Sequence, residues 1–434
     1  MPKVLMISLG CAKNLIDSEQ MLSLLDKAGY EITDDPEEAD FAVINTCAFI
    51  ESAQSEAIEN ILKVAAYKET GKLKKLVVAG CLAQRYKSEL LEEMPEVDAV
   101  IGTASADKVV EAIEGEKKEF FADINAPISE DERIVSTGPS WGYIKVAEGC
   151  SHNCAYCVIP SLRGRYRSRP MEKIVAEAKE MAENGVRELI IVAQDPTLYG
   201  VDLYKKKMLP ELVHELCKIE KIHWIRLHYL YPDAVDDAMI DCIVSEPKVL
   251  RYLDIPIQHI NNAILKKMRR RGTGDDIRAL FKKLRERIPG LVLRTSIITG
   301  LPGEGEAEFE ELCTFLREAK IERAGVFAFS PEEGTDAAKM EHVSTEEAND
   351  RAIIVNDLQA RIMDEFNASR VNTETEILCE GYDEEMNMWF GRSFAESPDV
   401  DGVIWFSGED IAAGEFYNIV IRGELDGELV GEKL

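Results

Sequence analysis

The sequence predicts an α/β chain in three parts. Residues 1–122 read as a doubly wound parallel sheet domain, residues 139–370 as a partial (β/α) barrel of about six strands, and residues 371–434 as a small antiparallel β-barrel. Three observations predict this order. Short apolar strands alternate with helical stretches from the start of the chain. The alternation stops over residues 123–138, a linker marked by Pro127, Gly138, the adjoining Pro139 and the acidic run Glu130-Asp131-Glu132, and resumes at Trp141. Beyond residue 370 the pattern changes to short segments punctuated by Gly, Asp and Glu.

In the first part, Val4–Ser8, Phe41–Ile44 and Leu76–Ala79 read as strands. Helical stretches follow them over about Ser18–Ala28, Ser52–Tyr67 and Tyr86–Glu93. Near-continuous apolar strands are what a parallel sheet covered on both faces requires. The second series has strands at Tyr143–Val146, Glu188–Val192, Trp224–His228, Tyr252–Ile257, Leu291–Ile298 and Gly325–Phe329. Amphipathic stretches lie between them, including Glu172–Glu183, Glu211–Lys218, Arg278–Arg287 and Glu306–Ala319. Six βα units fall short of a closed eight-fold barrel. In the last part, Thr375–Cys379, Gly402–Phe406 and Tyr417–Ile421 read as strands.

The 434 residues are 46% hydrophobic and 30% charged, which suits a globular protein with an ample core. No run of 18 apolar residues predicts a membrane span, and the N-terminus enters a strand pattern without a signal-peptide profile. The expectation is a cytoplasmic protein with no membrane partner. Ten cysteines in a reducing compartment point to metal or catalytic use rather than disulfides. The net charge of −29 matters most where it is concentrated. Residues 372–434 hold 16 Asp and Glu against Arg392, Arg422 and Lys433, a balance of −13. Such a surface repels nucleic acid and attracts a basic protein.

The chemistry lies in two groups of cysteines. Gly149-Cys150-Ser151-His152-Asn153-Cys154-Ala155-Tyr156-Cys157 places three thiolates in one tight loop after the first barrel strand. Thiolates are the usual ligands of iron–sulfur clusters, and three of them leave one iron of a cube open to a small molecule. A structural zinc loop is the alternative, but zinc usually takes four ligands and His152 sits awkwardly for the fourth. Cys11, Cys47 and Cys81 form no local motif, yet each directly follows a strand. Strand carboxyl ends in a doubly wound sheet share one edge, so these thiols can converge on a second open cluster. Gly10 and Gly80 would let the backbone approach it. Three unrelated buried cysteines are the alternative. Cys217, Cys242, Cys313 and Cys379 lack such context and read as structural.

The chain resembles the methylthiotransferases of the radical S-adenosylmethionine (SAM) superfamily over nearly its whole length. The motifs are Ser8-Leu9-Gly10-Cys11-Ala12-Lys13-Asn14, Asp17-Ser18-Glu19, Asn45-Thr46-Cys47, Ala79-Gly80-Cys81-Leu82, the Cys150–Cys157 loop, and Cys157-Val158-Ile159-Pro160 with Arg163-Gly164 and Arg167-Ser168-Arg169. Gly391-Arg392-Ser393 resembles the start of the closing motif of the family's C-terminal barrel, called TRAM. The resemblance implies two 4Fe–4S clusters and two uses of SAM, as methyl donor and as radical source. It also implies a sulfur donor and an electron donor such as a flavodoxin or ferredoxin. Tyr156 is expected against the adenine of SAM, with core packing as its alternative. Gly300, Pro302 and Gly303, at the end of a barrel strand, are expected to shape the SAM site, with a plain turn as theirs.

One branch of the family modifies adenosine in tRNA. The other, the RimO type, modifies the β-carbon of an aspartate in small-subunit ribosomal protein S-twelve. Asp254-Ile255-Pro256-Ile257-Gln258-His259, Arg226–Pro232 and Glu332-Glu333-Gly334-Thr335 resemble the RimO type, and the acidic C-terminal barrel agrees. Pro196 and Ser397-Pro398-Asp399 depart from that pattern without touching a cysteine. Two basic clusters remain. Arg163, Arg165, Arg167 and Arg169 are expected in part to pair with a carboxylate of SAM or substrate, and Lys266, Lys267, Arg269, Arg270 and Arg271 to form a solvated helix face, with nucleic-acid contact as the alternative for both. The expected function is aspartate methylthiolation of the ribosomal protein. A tRNA adenosine methylthiotransferase and a non-catalytic iron–sulfur electron carrier are the alternatives.

Overall fold

The computed structural model describes all residues except Pro139 and Asp426, so the linker signal at Pro139 lies outside the described residues. The N-terminal sheet has six parallel strands: β1 (Lys3–Ser8), β2 (Glu31–Thr33), β3 (Phe41–Thr46), β4 (Lys75–Gly80), β5 (Ala99–Ile101) and β6 (Glu119–Phe120), in the order β2-β1-β3-β4-β5-β6. The central strands are apolar through their middles, Ala42–Ile44 and Leu76–Ala79, because both faces are covered. Ile44, Leu76 and Val78 pack with Ala57 and Ile61 on one side. Val43, Val77 and Ala79 pack with Met21 and Leu25 on the other. Only three of the six strands are legible in the sequence. β2 is three residues long, polar and largely exposed, and β6 is two residues long, so neither carries a periodic signal.

The second sheet is also parallel: β7 (Trp141–Lys145), β10 (Glu188–Val192), β11 (Trp224–Leu227), β12 (Val249–Asp254), β13 (Val292–Thr299) and β14 (Arg323–Ala328) are adjacent in that order. A small antiparallel pair, β8 (Ala147–Glu148) with β9 (Arg167–Ser168), frames the Cys150 loop. The outward side chains Ile144, Leu189, Ile191, Leu227 and Leu253 pack under the helices. The inward ones, Tyr143, Ile190, Val192, Tyr252 and Val292, form a separate core. Ala12 and Ile16 of the first helix and Leu378 and Ala395 of the C-terminal unit enter that inner core. The open barrel is therefore packed by both of its neighbours.

The helix Thr345–Arg370, absent from the sequence reading, packs on β13 and β14. Its buried positions include Ala348, Ala352, Val355, Gln359 and Ile362, while Ile353 and Ile354 face outward, so the apolar stripe is blurred. The helical stretch at Tyr86–Glu93 is instead two helices, Cys81–Tyr86 and Ser88–Glu93, broken at Lys87. The chain closes with a five-stranded barrel: β15 (Glu374–Asp383), β16 (Met388–Ser393), β17 (Ile404–Ser407), β18 (Phe416–Leu425) and β19 (Glu428–Lys433). Its core is Ile377, Cys379, Ile404, Phe406, Ile419, Ile421 and Leu429. No helix among the described residues is long and apolar enough to cross a membrane.

Candidate active site

β1, β3 and β4 are neighbours, and their register aligns Ser8 with Asn45 and Thr46 with Gly80. Cys11, Cys47 and Cys81 leave the same edge just beyond these ends. A Cβ at Gly10 would lie 2.7 Å from Cys47 Cβ, and one at Gly80 2.2 Å from Asn45 Oδ1, so both positions need glycine. Asn14 ties the three loops together. Its Nδ2 donates to Leu9 O at 3.0 Å and Thr46 O at 2.9 Å, and its Oδ1 accepts from the Cys81 thiol at 3.8 Å.

The second triad follows β8. Cys150 N donates to Gly164 O at 3.0 Å, Cys157 N to Cys154 O at 3.1 Å, and Ala155 N to Met268 O at 3.0 Å. A Cβ at Gly149 would lie 2.3 Å from Arg165 O. Cys154 Sγ is 3.5 Å from Tyr231 Oη. The His152 ring is committed elsewhere: its Nε2 is 2.6 Å from Asp195 Oδ2, and its face stacks on Tyr231 at 4.1 Å. It supports the loop rather than completing a ligand set.

Burial pushes the thiols of Cys81 and Cys157 up to about 12 and that of Cys150 up to about 11. Burial acts on Cys11 as well, but Lys13 and Arg163 outweigh it and hold this thiol below its ordinary value. Metal binding replaces the thiol proton, so the protonated state of the free loops is no obstacle to it. Among the described residues, no three His, Cys, Asp or Glu side chains converge on a single metal ion. Three thiolates on an iron–sulfur cube bind three different irons and stand farther apart. Two sets of three thiols, each on a glycine-relieved loop, fit that group.

Tyr156 is half-buried beside Ile264, Met268, Leu301 and Phe329. It thus shares a cluster with the loop that holds Gly300, Pro302 and Gly303. Gly300 N donates to Glu304 Oε1 at 2.8 Å, and a Cβ there would lie 2.4 Å from Ala348 Cβ. Gly300 is therefore explained by the close approach of the helix Thr345–Arg370. Pro302 is buried and Gly303 exposed. Glu304 also binds Arg351 at 2.8 Å and His259 Nε2 at 3.1 Å. His259 Nδ1 accepts from Asn261 N at 3.0 Å, so Nε2 carries the proton given to Glu304. The Asp254–His259 motif thus braces the Gly300–Gly303 loop.

Other contacts were not legible because the partners are remote in sequence, and Lys145, Glu148, Arg85 and Gln54 drew no notice for that reason. Arg163, only 3% exposed, donates to Asn14 Oδ1 at 2.5 Å and pairs with Asp17 and Glu148, each at 3.0 Å. Lys145 pairs with the same two carboxylates at 2.7 and 2.9 Å. This charge-balanced knot joins the helix Ile159–Arg163, after Cys157, to the helix after Cys11, and it lines a cleft of about 430 Å³. Gln194 Nε2 donates to Glu148 at 2.7 Å, leaving Gln194 Oε1 buried just past β10 with no partner among the described residues. A second tie is Arg85, which donates to Ala48 O at 3.0 Å, beside Cys47, and pairs with Glu332 at 2.6 Å. Glu332 also accepts from Gln54 at 3.0 Å.

The structure narrows the reading of the arginine series to Arg165, which is exposed, because the other three are engaged within the protein. Arg163 is spent on Asp17 and Glu148, Arg169 on Glu130 and Glu177, and Arg167 on backbone carbonyls of residues 163 and 165. The second basic cluster also needs correcting at Arg270. It is not on a solvated face but lies 4.1 Å from the Tyr231 ring and donates to Pro256 O at 2.5 Å.

Comparison with known proteins agrees with this architecture. Residues 3–102 match the Uncharacterized protein family UPF0004, residues 144–316 the radical SAM superfamily, and residues 371–433 the TRAM domain. The chain is 46% identical to the ribosomal protein uS12 methylthiotransferase RimO of Lachnoclostridium phytofermentans, covering 99% of both. It is 46% identical to that of Acetivibrio thermocellus (99% and 98%) and 45% identical to that of Caldanaerobacter subterraneus (100% of both). Among solved structures, the radical SAM methyltransferase TsrM of Kitasatospora setae, with cobalamin and a 4Fe–4S cluster bound, superposes with a TM-score of 0.55. The identity is 15%, over 78% of this chain and 74% of that one. The cobalamin-dependent radical SAM enzyme OxsB superposes at 0.51 and 12% identity, over 83% and 56%. These two likenesses are of fold. The sequence relatives, matched end to end, carry the assignment: the chain belongs to the RimO family of radical SAM methylthiotransferases.

Proposed function

We propose that this enzyme inserts a methylthio group at the β-carbon of an aspartate in ribosomal protein uS12. In this reading Cys150, Cys154 and Cys157 hold one 4Fe–4S cluster, and Cys11, Cys47 and Cys81 hold a second. One observation carries it: Arg163, six residues beyond Cys157, reaches Asn14 beside Cys81, which brings the two thiol triads to one junction. When bound, the clusters supply the electron that cleaves SAM and the sulfur that is transferred. The protein's own part is positional. Asn14 and Arg85 hold the three N-terminal loops, and the Arg163–Lys145 knot fixes them against the barrel. His152, Tyr231 and Arg270 pack around the second loop and keep water from it. Tyr156, Pro302 and Gly303 are assigned to the SAM site, and Gln194 Oε1 offers an acceptor at the strand end.

The acidic C-terminal barrel supports a basic protein substrate, since Glu384, Glu385, Glu409, Asp410 and Glu415 are exposed. The reaction needs a sulfur donor and a one-electron donor such as a flavodoxin or ferredoxin, and its place is the cytoplasm, where ribosomal subunits assemble. The test is reconstituted enzyme with SAM, a reductant, and either uS12 or tRNA. Addition of a methylthio group to the protein aspartate is expected. Its appearance on tRNA adenosine, with none on the protein, would instead establish the tRNA branch.

A further inference from the structure

Lys13 is buried, 8% exposed, and its ammonium lies 3.7 Å from the centre of the Tyr229 ring. Among the described residues, every other lysine and arginine buried to this degree has a carboxylate within 3.0 Å. No carboxylate of the described residues pairs with Lys13. Burying an ammonium against an aromatic face with no carboxylate in contact is costly, and an arriving anion would offset that cost. An aromatic face also occupies one side of the ammonium only, so N–H donors remain for a ligand.

The place of Lys13 says which anion. It follows Cys11 by two residues on the first helix. Its platform, Tyr229, stands two residues before Tyr231, whose hydroxyl is 3.5 Å from Cys154 Sγ. Two residues of chain span at most about 7 Å, so the ammonium, two residues past Cys11, lies near the neighbourhoods of both triads. Tyr229 is held in a left-handed backbone (φ 62°), its N–H donated to Asp254 Oδ2 at 3.1 Å, with Asp254 paired to Arg294 at 3.1 Å. The platform is thus built from the central (β/α) barrel while the cation comes from the first domain.

We infer that Lys13 binds the side-chain carboxylate of the aspartate to be modified. The inference rests on the proposed protein substrate and names the residue that would select it. The reacting β-carbon is bonded directly to that carboxylate, so the cation that recognises it must lie in the gap where the carbon is presented. Three of the four arginines of residues 163–169 do not supply it, and the fourth, Arg165, lies exposed at the surface. Arg163 and Arg169 are paired with the protein's own carboxylates and Arg167 is bound to backbone carbonyls.

The test uses anaerobically reconstituted holoenzyme with SAM and two fluorescent peptides copied from the substrate loop of uS12, one with the target aspartate and one with asparagine there. Wild type should bind the aspartate peptide at least about tenfold more tightly. Lys13→Met should bring the two affinities together by weakening only the aspartate peptide, and Lys13→Arg should keep the preference. Tyr229→Leu, which leaves the lysine in place, should reduce the preference as well. Iron per chain is measured for each variant, so that a disturbed cluster is distinguished from a lost contact. If Lys13→Met keeps the wild-type ratio while wild type adds the methylthio group to the peptide, the role of Lys13 is wrong and the proposed function stands. If wild type binds neither peptide and modifies tRNA, both are wrong.

Discussion

Glu396 fastens the C-terminal barrel to the rest of the enzyme, and its contribution can be worked from the structure. The carboxylate is 2% exposed and pairs with Arg323 of β14 at 3.0 Å and with Arg370 at the end of the helix Thr345–Arg370. It also accepts from Ser393 N at 3.1 Å and Ser393 Oγ at 2.5 Å. Burial works to raise its pKa, but Arg370 and Arg323 outweigh burial and hold it at about 2, against 4.5 for the free group. At about 1.4 kcal/mol per pH unit, that difference is on the order of 3 kcal/mol of stability. The folded value is depressed, so this stabilisation is complete above about pH 4.5 and is lost as pH falls from there towards about 2. Glu396→Gln strands two buried arginines, a loss on the order of 3–5 kcal/mol. For a cooperative unit of 150–250 residues each kcal/mol moves the midpoint by about 2–4 °C, so the transition should fall by roughly 6–20 °C. Scanning calorimetry of wild type and Glu396→Gln at pH 7.5 and pH 4 measures it. The gap should narrow at pH 4, where the wild-type carboxylate begins to lose its advantage. A variant within about 1 kcal/mol of wild type at pH 7.5 would refute the reasoning, because it would place the pair in the range of exposed ion pairs.

Arg163→Met should also cost about 3–5 kcal/mol, since Asp17 and Glu148 would then share Lys145 alone. A double variant with Glu148→Gln should lose less than the sum of the two singles, measured by the same calorimetry. Cys154→Ala should abolish formation of 5′-deoxyadenosine from SAM, whereas Cys47→Ala should leave it and stop methylthio product; chromatography of both products reads the split. Arg85→Ala removes the tie between the Cys47 loop and Glu332. It should lower methylthio product per 5′-deoxyadenosine severalfold, and an unchanged ratio would show that the tie is not needed for alignment. Iron analysis should give about eight atoms per wild-type chain and about four after Cys11, Cys47 and Cys81 are all replaced by Ala.

The sequence by itself determined the three-part α/β architecture and the six cysteines in their two groups. Both readings rest on local signals: apolar runs that match a strand buried on two faces, and thiols placed directly after those strands. The tight loop of Cys150, Cys154 and Cys157 needs no folding to be seen, and the TRAM-like barrel declared itself by its turns and its acidity. The tertiary structure decided which charges are free. Arg163 looked available for a ligand until the fold set it against Asp17, 146 positions away in the sequence. Arg270 looked solvated until Tyr231 came to lie beneath it. Lys13, silent in the sequence, emerged as a buried cation over Tyr229 with no carboxylate of its own among the described residues. Residue spacing reports periodicity along one element, but an ion pair is a meeting of two elements, and its free energy depends on burial that exists only after packing.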